Sequence, residues 1–472
     1  MTDDRWGDQT ATLLRQTTDY AVDFLRGLAD RPVHATANLD ELRQSLGGAL
    51  PAEGQVPAEV MRRLQASDQG VVGIPGPRYF GFVIGGSLPA ALAADWLTST
   101  WDQNAGAYVA GPSASVAEEI AGGWLIELLG LPPGTSYGFT TGCQMAHVTC
   151  LAAARHAVLE KAGWDVERQG LIGAPALRII VGGEAHATVF AALQYLGLGH
   201  DTPVRAAADG QGRMTLDGLA QALDGENAPT IVVLQAGNVN TGSIDPLAEA
   251  IALVRSRAPG AWVHIDGAFG LWAAASDQRR DLLAGYQQAD SWATDGHKWL
   301  NVPYDAGYAF VAHAETHQAA MAPPHAAYIE YGTAERDEFL WVTEYSRRAR
   351  GFATWAALRS LGRRGVAELV DRCCDHARRF AGRLGAEPGV EILNEVVLNQ
   401  VLVRFAADDE LTREVVTRVQ RDGTCWLSGS TWQGRAVMRI SVSNWSTTEA
   451  DVEASAEAIL RCYREAREPR SA

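Results

Sequence analysis

The segment Ser291–Gly307, "SWATDGHKWLNVPYDAG", joins a short apolar strand to a histidine and a lysine. The strand-like run "SWAT" (291–294) ends just before His297 and Lys298. In α/β proteins ligands bind beyond the carboxyl ends of parallel strands, so these two side chains stand where a ligand is expected. Lys298 is then either a solvated surface residue or an amine beside an enclosed pocket, where desolvation makes lysine a nucleophile toward carbonyl carbons.

The composition is that of a globular protein with more than one domain. The chain has 472 residues, of which 47% are hydrophobic and 20% charged, and its net charge is −16. This negative balance, without a long Lys/Arg run, argues against a nucleic-acid partner. The six cysteines show no metal-ligand spacing, so we expect neither a metal site nor a disulfide framework. Because neither a signal-peptide pattern nor a long apolar run is found, we expect a cytoplasmic protein without a membrane segment.

Apolar, β-rich runs recur along the middle of the chain, and each is followed by a turn and a helical stretch. This alternation predicts a mostly parallel sheet that is buried on both faces. The runs span residues 178–183, 229–237, 261–268, 291–294 and 306–312. We expect a helical N-terminal segment (1–75), a large sheet domain (76–355) and a smaller C-terminal α/β domain (356–472).

Further candidate residues follow other predicted strands. The turn "FTTGCQMAH" (139–147) leads into a helix, whose free N–H groups and dipole favour an anion, although many α/β turns look alike. Asp266 ends the run "VHID", where a buried carboxylate needs a cation or a metal, or caps a helix. His186, in "GGEAHATVF", either packs structurally or faces a ligand. An imine-forming lysine, a carboxylate, an aromatic plate and a phosphate-binding turn together meet the requirements of pyridoxal 5'-phosphate (PLP).

The sequence resembles the group II PLP-dependent amino-acid decarboxylases of aspartate-aminotransferase fold (fold type I). The resemblance runs from "PRYFGFVIGG" (77–86) to "ISVSNWSTTEADV" (440–452) and is centred on "DGHKWLNVPYD" (295–305). It implies an α/β fold: a large, mostly parallel, seven-stranded-type sheet domain, a smaller C-terminal α/β domain and an N-terminal helical segment that serves dimerisation. Members of the family act on aromatic amino acids, glutamate, 2,4-diaminobutyrate and histidine.

The resemblance also implies a role for individual residues. Lys298 would carry the internal aldimine, Asp266 would pair with the protonated pyridine nitrogen, and His186 and Ala268 would lie against the two faces of the ring. The remaining implied cofactor contacts, at the phosphate or near the ring, are Gly142, Cys143, Gln144, Asn238 and His297. The phosphate turn departs from the family's usual "TSGGSEAN" or "TSGGTEAN", since it reads "TTGCQMAH" here. Cys143 is accordingly a small packing residue or a reactive thiol.

Catalysis in this family also uses a mobile loop. A loop tyrosine protonates the substrate carbon after CO₂ leaves, and it reaches the site of the neighbouring subunit. The corresponding loop (322–342) contains Tyr328 and Tyr331, each of which is either the proton donor or a packing residue. The candidate catalytic residues are Lys298, His186, Tyr328 and Tyr331. Family members that lack the donor divert the carbanion to oxygen and yield aldehydes.

The substrate pocket is indicated by a few aromatic and basic residues. Phe82 and Val83 lie in the segment that lines the family's side-chain pocket, and Trp101 is a candidate aromatic wall. Arg439, in "VMRISVS", either holds a carboxylate through two hydrogen bonds or pairs with an acidic residue. These residues favour an aromatic substrate or a bulky conjugate.

We therefore expect a PLP-dependent decarboxylase-like lyase that acts on an L-amino acid through an external aldimine and a quinonoid carbanion. The expected partners are a small amino-acid substrate and a second copy of the chain, in a homodimer whose site lies at the subunit interface. Two alternatives within the family are oxidative deamination to an aldehyde and β-elimination from an S-linked cysteine conjugate. A third is a PLP-binding scaffold without catalysis.

Overall fold

A seven-stranded sheet forms the centre of the protein, whose computed structural model describes residues 7–225, 228–324 and 335–468. Its strands are β1 (Ser136–Thr140), β2 (Arg178–Gly182), β3 (Val204–Ala206), β4 (Thr230–Gln235), β5 (Trp262–Asp266), β6 (Ser291–Asp295) and β7 (Gly307–Val311). They lie in the order β1-β7-β6-β5-β4-β2-β3. The neighbours from β3 to β6 are parallel, and β7 is antiparallel to both β6 and β1. As a result, β1 and β6 point the same way and end at the same edge.

Helices cover both faces of this sheet. In chain order, the helices of the described residues, including those of the N-terminal and C-terminal parts, are α1 (Asp8–Arg26), α2 (Leu39–Leu46), α3 (Pro57–Gln65), α4 (Pro89–Trp101), α5 (Pro112–Leu128), α6 (Cys143–Lys161), α7 (Val166–Gln169), α8 (Ala187–Tyr195), α9 (Leu216–Leu223), α10 (Leu247–Arg257), α11 (Ala314–Met321), α12 (Gly351–Gly385), α13 (Asp409–Asp422) and α14 (Glu449–Arg467). Because side chains alternate along a strand, β4 sends Val232 to one hydrophobic core and Val233 to the other. Every residue of β4, β5 and β6 is buried, as expected for a sheet that is covered on both sides.

A second, antiparallel sheet lies in the C-terminal part of the chain. Its strands are β8 (Val390–Ile392), β9 (Gln400–Phe405), β10 (Ser428–Trp432) and β11 (Arg435–Ser441), in the order β10-β11-β9-β8. The buried amide of Asn301, three residues after Lys298, connects this unit to the large sheet. Its Oδ1 accepts from the N–H groups of Gly86 (2.7 Å) and Trp445 (2.9 Å), and its Nδ2 donates to the carbonyl of Ser443 (2.9 Å). The lysine segment is thereby fixed against both units.

The structure differs from the sequence prediction in two details. The edge strand β3 was not predicted, because it has only three residues, two of them exposed. The long helix α12 contains a break that was not predicted from the sequence, since Gly362 within it has a left-handed φ of 63°. The predicted boundary between residues 355 and 356 falls inside α12. The two domain boundaries stay predictions.

The helices that the structure describes were also assessed as membrane spans. None of them combines the length and the apolar character that crossing a bilayer requires. A location in the cytoplasm stays a prediction.

Gly307, at the start of β7, is predicted to be intolerant of a side chain. A Cβ atom there would lie 2.5 Å from Gly142 Cα and 2.9 Å from the backbone nitrogen of Cys143. We expect Gly307→Ala to lower the free energy of unfolding by about 1–3 kcal/mol, because it overpacks the contact between β7 and the start of α6.

Denaturant unfolding of the cofactor-free protein measures this effect. Gly123→Ala is the matched control, since a Cβ at this exposed helical position has no heavy atom within 4 Å. The control should be unchanged or up to about 1 kcal/mol more stable. Equal stability of the two variants would contradict the packing argument.

Candidate active site

An ion pair at the end of β6 holds Lys298 in place. Its Nζ lies 2.9 Å from Oδ2 of Asp295, whose side chain is only 3% exposed. The other carboxylate oxygen accepts a hydrogen bond from the backbone N–H of Cys143 (2.6 Å) and lies 3.4 Å from Nε2 of His297. One buried carboxylate therefore joins the lysine to the first residue of α6. Although burial alone favours the neutral amine, Asp295 raises the pKa of Lys298 above its ordinary value.

The turn that precedes α6 lies directly against this pair. Gly142 is the N-cap of α6, and a Cβ atom there would lie 3.1 Å from Cε1 of His297 and 3.5 Å from Oδ1 of Asp295. His297 accepts a hydrogen bond at Nδ1 from the N–H of Ala306 (3.1 Å). The N–H of Cys143 is bonded to Asp295, but the other N–H groups in the first turn of a helix have no partner within the helix, so this helix start can bind an anion.

Asp266 ends β5 and is buried, with 4% of its surface exposed. Its Oδ1 accepts from the N–H of Ala268 (3.1 Å) and lies 3.5 Å from Nε2 of His147. Burial opposes ionisation, but the charge and hydrogen bond of His147, together with the charge of His186, lower the pKa of Asp266. The carboxylate has a cationic or N–H partner, as expected for a buried charge, and the helix N-cap alternative is not what the structure shows.

Two of the expected cofactor contacts already have structural partners. His186 is the N-cap of α8, where its Nδ1 accepts from the N–H of Thr188 (3.3 Å), and burial lowers its pKa. Asn238 is buried after β4, and its Oδ1 accepts from the N–H groups of Asn240 (2.9 Å) and Thr241 (3.2 Å). Both residues shape loops at the same sheet edge as Lys298. Their roles toward a cofactor stay predictions.

Arg439 on β11 is a buried cation whose Nε has no hydrogen-bond partner among the described residues. Only 8% of its surface is exposed, and burial lowers its pKa. Its charge contributes to the lowered pKa of His186, which places the guanidinium near the site. Within the described part of the chain, no acidic residue pairs with Arg439, so the structural ion-pair alternative is not observed there. An anion from outside the chain is the partner that such a group needs.

The segment just before Gly85, which contains aromatic residues, passes close to Lys298. The N–H of Gly85 donates to the carbonyl of His297 (3.4 Å), so the residues just before it lie close to the lysine. Among these, Phe82 and Val83 both have left-handed φ values, of 53° and 60°. Such strain in residues other than glycine clusters at functional sites.

Two further aromatic rings belong to this surface and were not found from the sequence. The ring of Trp426 stacks on Tyr79 at a centroid distance of 5.1 Å and lies 5.4 Å from the ring of Phe82. Tyr304 stacks on His297 at 4.2 Å. Tyr304 lies inside the segment quoted first, but nothing in its spacing marked it. Trp426 is distant in sequence and gave no signal.

The remaining predicted site residues lie as follows. Gln144 is half-buried in the first turn of α6, and Ala268 packs against the core in the turn after β5. Trp101 is not brought to Lys298 within this chain; it lies in an outward apolar groove, 5.1 Å from the ring of Phe352. Tyr328 and Tyr331 lie outside the described residues. Sequence reasoning missed the roles of Asp295 and of the pair His147 and His264, described below.

The donor set fits PLP. A primary amine stands beside a helix N-terminus that can bind a phosphate, and the ionised carboxylate of Asp266 lies at the adjacent strand end. The guanidinium of Arg439 is buried, and its Nε has no hydrogen-bond partner among the described residues, so this group can bind an anion. These are the elements that PLP enzymes require: an imine-forming lysine, a carboxylate for the pyridine nitrogen and a phosphate cradle.

Comparison with known proteins supports this assignment. A family model described as the pyridoxal-dependent decarboxylase conserved domain matches residues 65–406. The aromatic-L-amino-acid decarboxylase of Bacillus atrophaeus is 26% identical, over 92% of this chain and 91% of the relative. Tryptophan decarboxylase 1 of Oryza sativa subsp. japonica is 25% identical, over 96% and 93%. The solved structure of Oryza sativa TDC with PLP and tryptamine superposes with a TM-score of 0.91 at 21% identity and covers 99% of this chain and 100% of that one.

The chain belongs to the pyridoxal-dependent decarboxylase family. The family, the fold class, the PLP cofactor and the carboxy-lyase class expected from the sequence are thereby confirmed. The individual site residues stay predictions, and the geometry above supplies the experiments that test them.

Removal of the Asp295 carboxylate should make Lys298 more reactive. We expect the amine of the cofactor-free Asp295→Asn variant to be acylated faster than that of the wild type at about pH 9, because the carboxylate raises the pKa of Lys298. Peptide mapping after brief labelling measures the rate. Lys161, the only other lysine of the chain, is the internal reference.

The matched control for this experiment is Asp305→Asn. Asp305 lies in the same loop but pairs with Arg350, through a contact of 2.7 Å. This variant should label Lys298 at the wild-type rate. Equal labelling of Lys298 in all three proteins would show that Asp295 does not control the amine.

Proposed function

We propose that this protein removes CO₂ from an L-amino acid with an aromatic or bulky side chain and releases the corresponding amine. The observation that carries the proposal is the placement of Lys298, the α6 cradle and the ionised Asp266 at one sheet edge. PLP, when bound, supplies an electron sink for the electron pair that the departing carboxylate leaves behind. The activities of the aromatic amino-acid decarboxylases that the chain resembles support the same reaction.

Different residues of the chain bind the cofactor and control the protons of the reaction. Lys298 provides the amine through which the cofactor is held, and the N-terminus of α6 binds its phosphate. Asp266, kept ionised, holds a proton on the pyridine nitrogen, so that the ring remains electron-poor. Such a preorganised charge typically contributes several kcal/mol of transition-state stabilisation, by analogy with other electrostatic terms of about 3–4 kcal/mol. Tyr328 and Tyr331 remain candidate donors of the proton that replaces CO₂.

The substrate is bound by a cation and by aromatic rings. Arg439 is proposed to bind a carboxylate of the substrate, because its buried guanidinium has an unpartnered Nε and forms a planar fork. The ring of Phe82, which is 55% exposed, and the half-buried ring of Trp426 beside it offer apolar surfaces, and Trp426 stacks on the buried ring of Tyr79. Stacking on such rings favours an aromatic side chain over a small or charged one.

A panel of L-amino acids tests the proposal. Tryptophan, tyrosine, phenylalanine, glutamate and 2,4-diaminobutyrate are incubated with the PLP-loaded protein, and CO₂, amine, ammonia and peroxide are measured. We expect CO₂ and amine in equal amounts from one of the aromatic acids, and none from the Lys298→Ala variant.

Other products would contradict the proposal in distinct ways. Ammonia with pyruvate and no CO₂ indicates β-elimination, and CO₂ with aldehyde and peroxide indicates oxidative deamination. A protein that binds PLP but yields no product from any acid is a scaffold. The relatives favour none of these alternatives.

Arg439 should affect substrate but not product binding. We expect Arg439→Gln to raise KM for the amino acid by about tenfold or more, since the loss of a bidentate charge-assisted contact costs about 1.5–3 kcal/mol. The inhibition constant of the product amine, which lacks the carboxylate, should stay unchanged. Arg435→Gln, at the start of the same strand, is the control and should resemble the wild type. Equal weakening of acid and amine binding would contradict a carboxylate role.

We also propose that the active unit is a homodimer. None of the residues of α1, α2 and α3 is buried, although these helices carry apolar side chains such as Leu14, which is 58% exposed. Trp101, Ile120 and Trp355 add an apolar groove on α4, α5 and α12, with 49%, 39% and 37% of their surfaces exposed. Exposed apolar surfaces of this kind mark interfaces.

Sedimentation measures the oligomeric state. Ile120→Glu should dissociate the dimer, because it places a charge in the apolar groove. Ile172→Glu, which changes an isolated residue that is 95% exposed, should leave the dimer intact. A fully active wild-type monomer would refute the proposal.

A further inference from the structure

Asp266 is the first member of a buried row of polar side chains that crosses β5 and β6. Nδ1 of His147 lies 2.9 Å from Nε2 of His264, and Nδ1 of His264 lies 2.9 Å from Oγ of Ser291. The indole N–H of Trp262 donates to the same hydroxyl (2.8 Å). His147, His264 and Ser291 are all completely buried. The row therefore extends from the carboxylate into the interior without contact with solvent.

Sheet geometry places these groups in line. His264 and Asp266 are two residues apart on β5, so their side chains project from the same face. Ser291 is the register partner of His264 on the neighbouring strand β6. His147 reaches this face from α6, one helical turn after Cys143. It occupies the last position of the turn "TTGCQMAH", where the usual family turn has asparagine.

The positions of the protons in this row of hydrogen bonds can be deduced from the groups at its two ends, Asp266 and Trp262. Ionised Asp266 only accepts hydrogen bonds, and the indole of Trp262 only donates. Burial, with the charge of His147, lowers the pKa of His264 to about 3, so this ring carries one proton at neutral pH. If that proton faces His147, the hydroxyl of Ser291 donates to the other nitrogen. If it faces Ser291, Nδ1 of His147 donates to Nε2 of His264. In the first arrangement Nε2 of His147 carries the N–H that faces Asp266, and the same nitrogen lies 3.5 Å from Sγ of Cys143.

We propose that His147 is a positioning residue for the reaction: its Nε2–H, oriented by His264 and Ser291, holds Asp266 ionised and fixed toward the cofactor's pyridine nitrogen. The inference rests on the proposed function and deepens it. An asparagine can donate to the carboxylate but reaches less far toward His264. The histidine couples Asp266 to a chain of polarised hydrogen bonds, which strengthen one another in a medium of low dielectric.

Other titratable groups contribute to the electrostatic environment of Asp266. They are Cys143, His186, Asp245 and Lys298. Burial raises the pKa of the Cys143 thiol, which therefore stays neutral, and burial raises the pKa of Asp245 to about 6. Among these groups and His147, a contact with the Asp266 carboxylate is recorded only for the imidazole of His147 in the described part of the chain.

The test uses cofactor labelled with ¹⁵N at the pyridine position. The ¹⁵N chemical shift is followed against pH in the holoprotein, and the dissociation constant of PLP is measured with the apoprotein. We expect His147→Leu to lower the pH at which the ring nitrogen loses its proton and to weaken PLP binding by about tenfold or more. His147→Asn, which keeps a donor, should lie between this variant and the wild type.

Ser291→Ala tests the row without touching Asp266. It should shift the nitrogen titration in the same direction as His147→Leu, but by less. His156→Leu is the matched control, because it removes a histidine from the same helix, where the residue pairs with Glu167. The control should leave both the titration and the dissociation constant unchanged.

Three results would overturn the inference. One is a lower unfolding temperature of His147→Leu with an unchanged nitrogen titration, which indicates a packing role only. Another is an unchanged titration in both His147→Asn and Ser291→Ala. The third is a stoichiometric metal ion in the purified protein, since Sγ of Cys143, a nitrogen of His147 and an oxygen of Asp266 lie within 4.8 Å of one another. Failure of the proposed function is distinct, because the wild type would then bind no PLP or release no CO₂.

Discussion

The ion pair between Lys298 and Asp295 is the interaction on which the rest of the site depends. Removing an ammonium and a carboxylate from water has a large desolvation cost for each group. The attraction across the 2.9 Å contact offsets this cost only if both groups stay in place. Asp295 also accepts from the first N–H of α6, so the same carboxylate positions the anion cradle. Gly307 permits β7 to approach the turn before that helix closely. The positions of Lys298, of the N-terminal turn of α6 and of strands β1, β6 and β7 thus depend on one another.

The charges of the site are arranged to receive PLP and an amino acid. Asp266 is buried with the imidazole of His147 as its partner, and Arg439 is buried with an Nε that has no partner among the described residues. In the proposed function, a phosphate, a pyridine nitrogen that carries a proton and a substrate carboxylate would complete the pairing of these groups. In a site of low dielectric, such fixed charges act without reorganisation during the reaction. The arrangement of charges is therefore consistent with PLP as the cofactor, and the proposed preference for an aromatic substrate rests on the aromatic surface near Phe82.

Most of the strands of the large sheet could be predicted from local patterns in the sequence. The apolar runs at 178–183, 229–237 and 261–268 coincide with β2, β4 and β5 because buried parallel strands are nearly all apolar and β-branched. Asp266 was found because it ends such a run, and Lys298 was found because it comes a few residues after one. The pairing of His147 with His264 joins residues 117 positions apart, and no local pattern encodes it. The break at Gly362 was missed for a related reason, since glycine inside a helical pattern is often tolerated.

PLP is predicted to be attached to Lys298, and the small number of lysines in the chain makes this attachment easy to test. Borohydride reduction of the PLP-loaded protein fixes the cofactor to its amine, and peptide mass spectrometry locates it. Because Lys161 is the only other lysine, the assignment has a single side-chain alternative. We predict that the reduced cofactor is found on the peptide that contains Lys298. Its recovery on Lys161 or on the N-terminal amine, or a protein that stays colourless with PLP, would contradict the account.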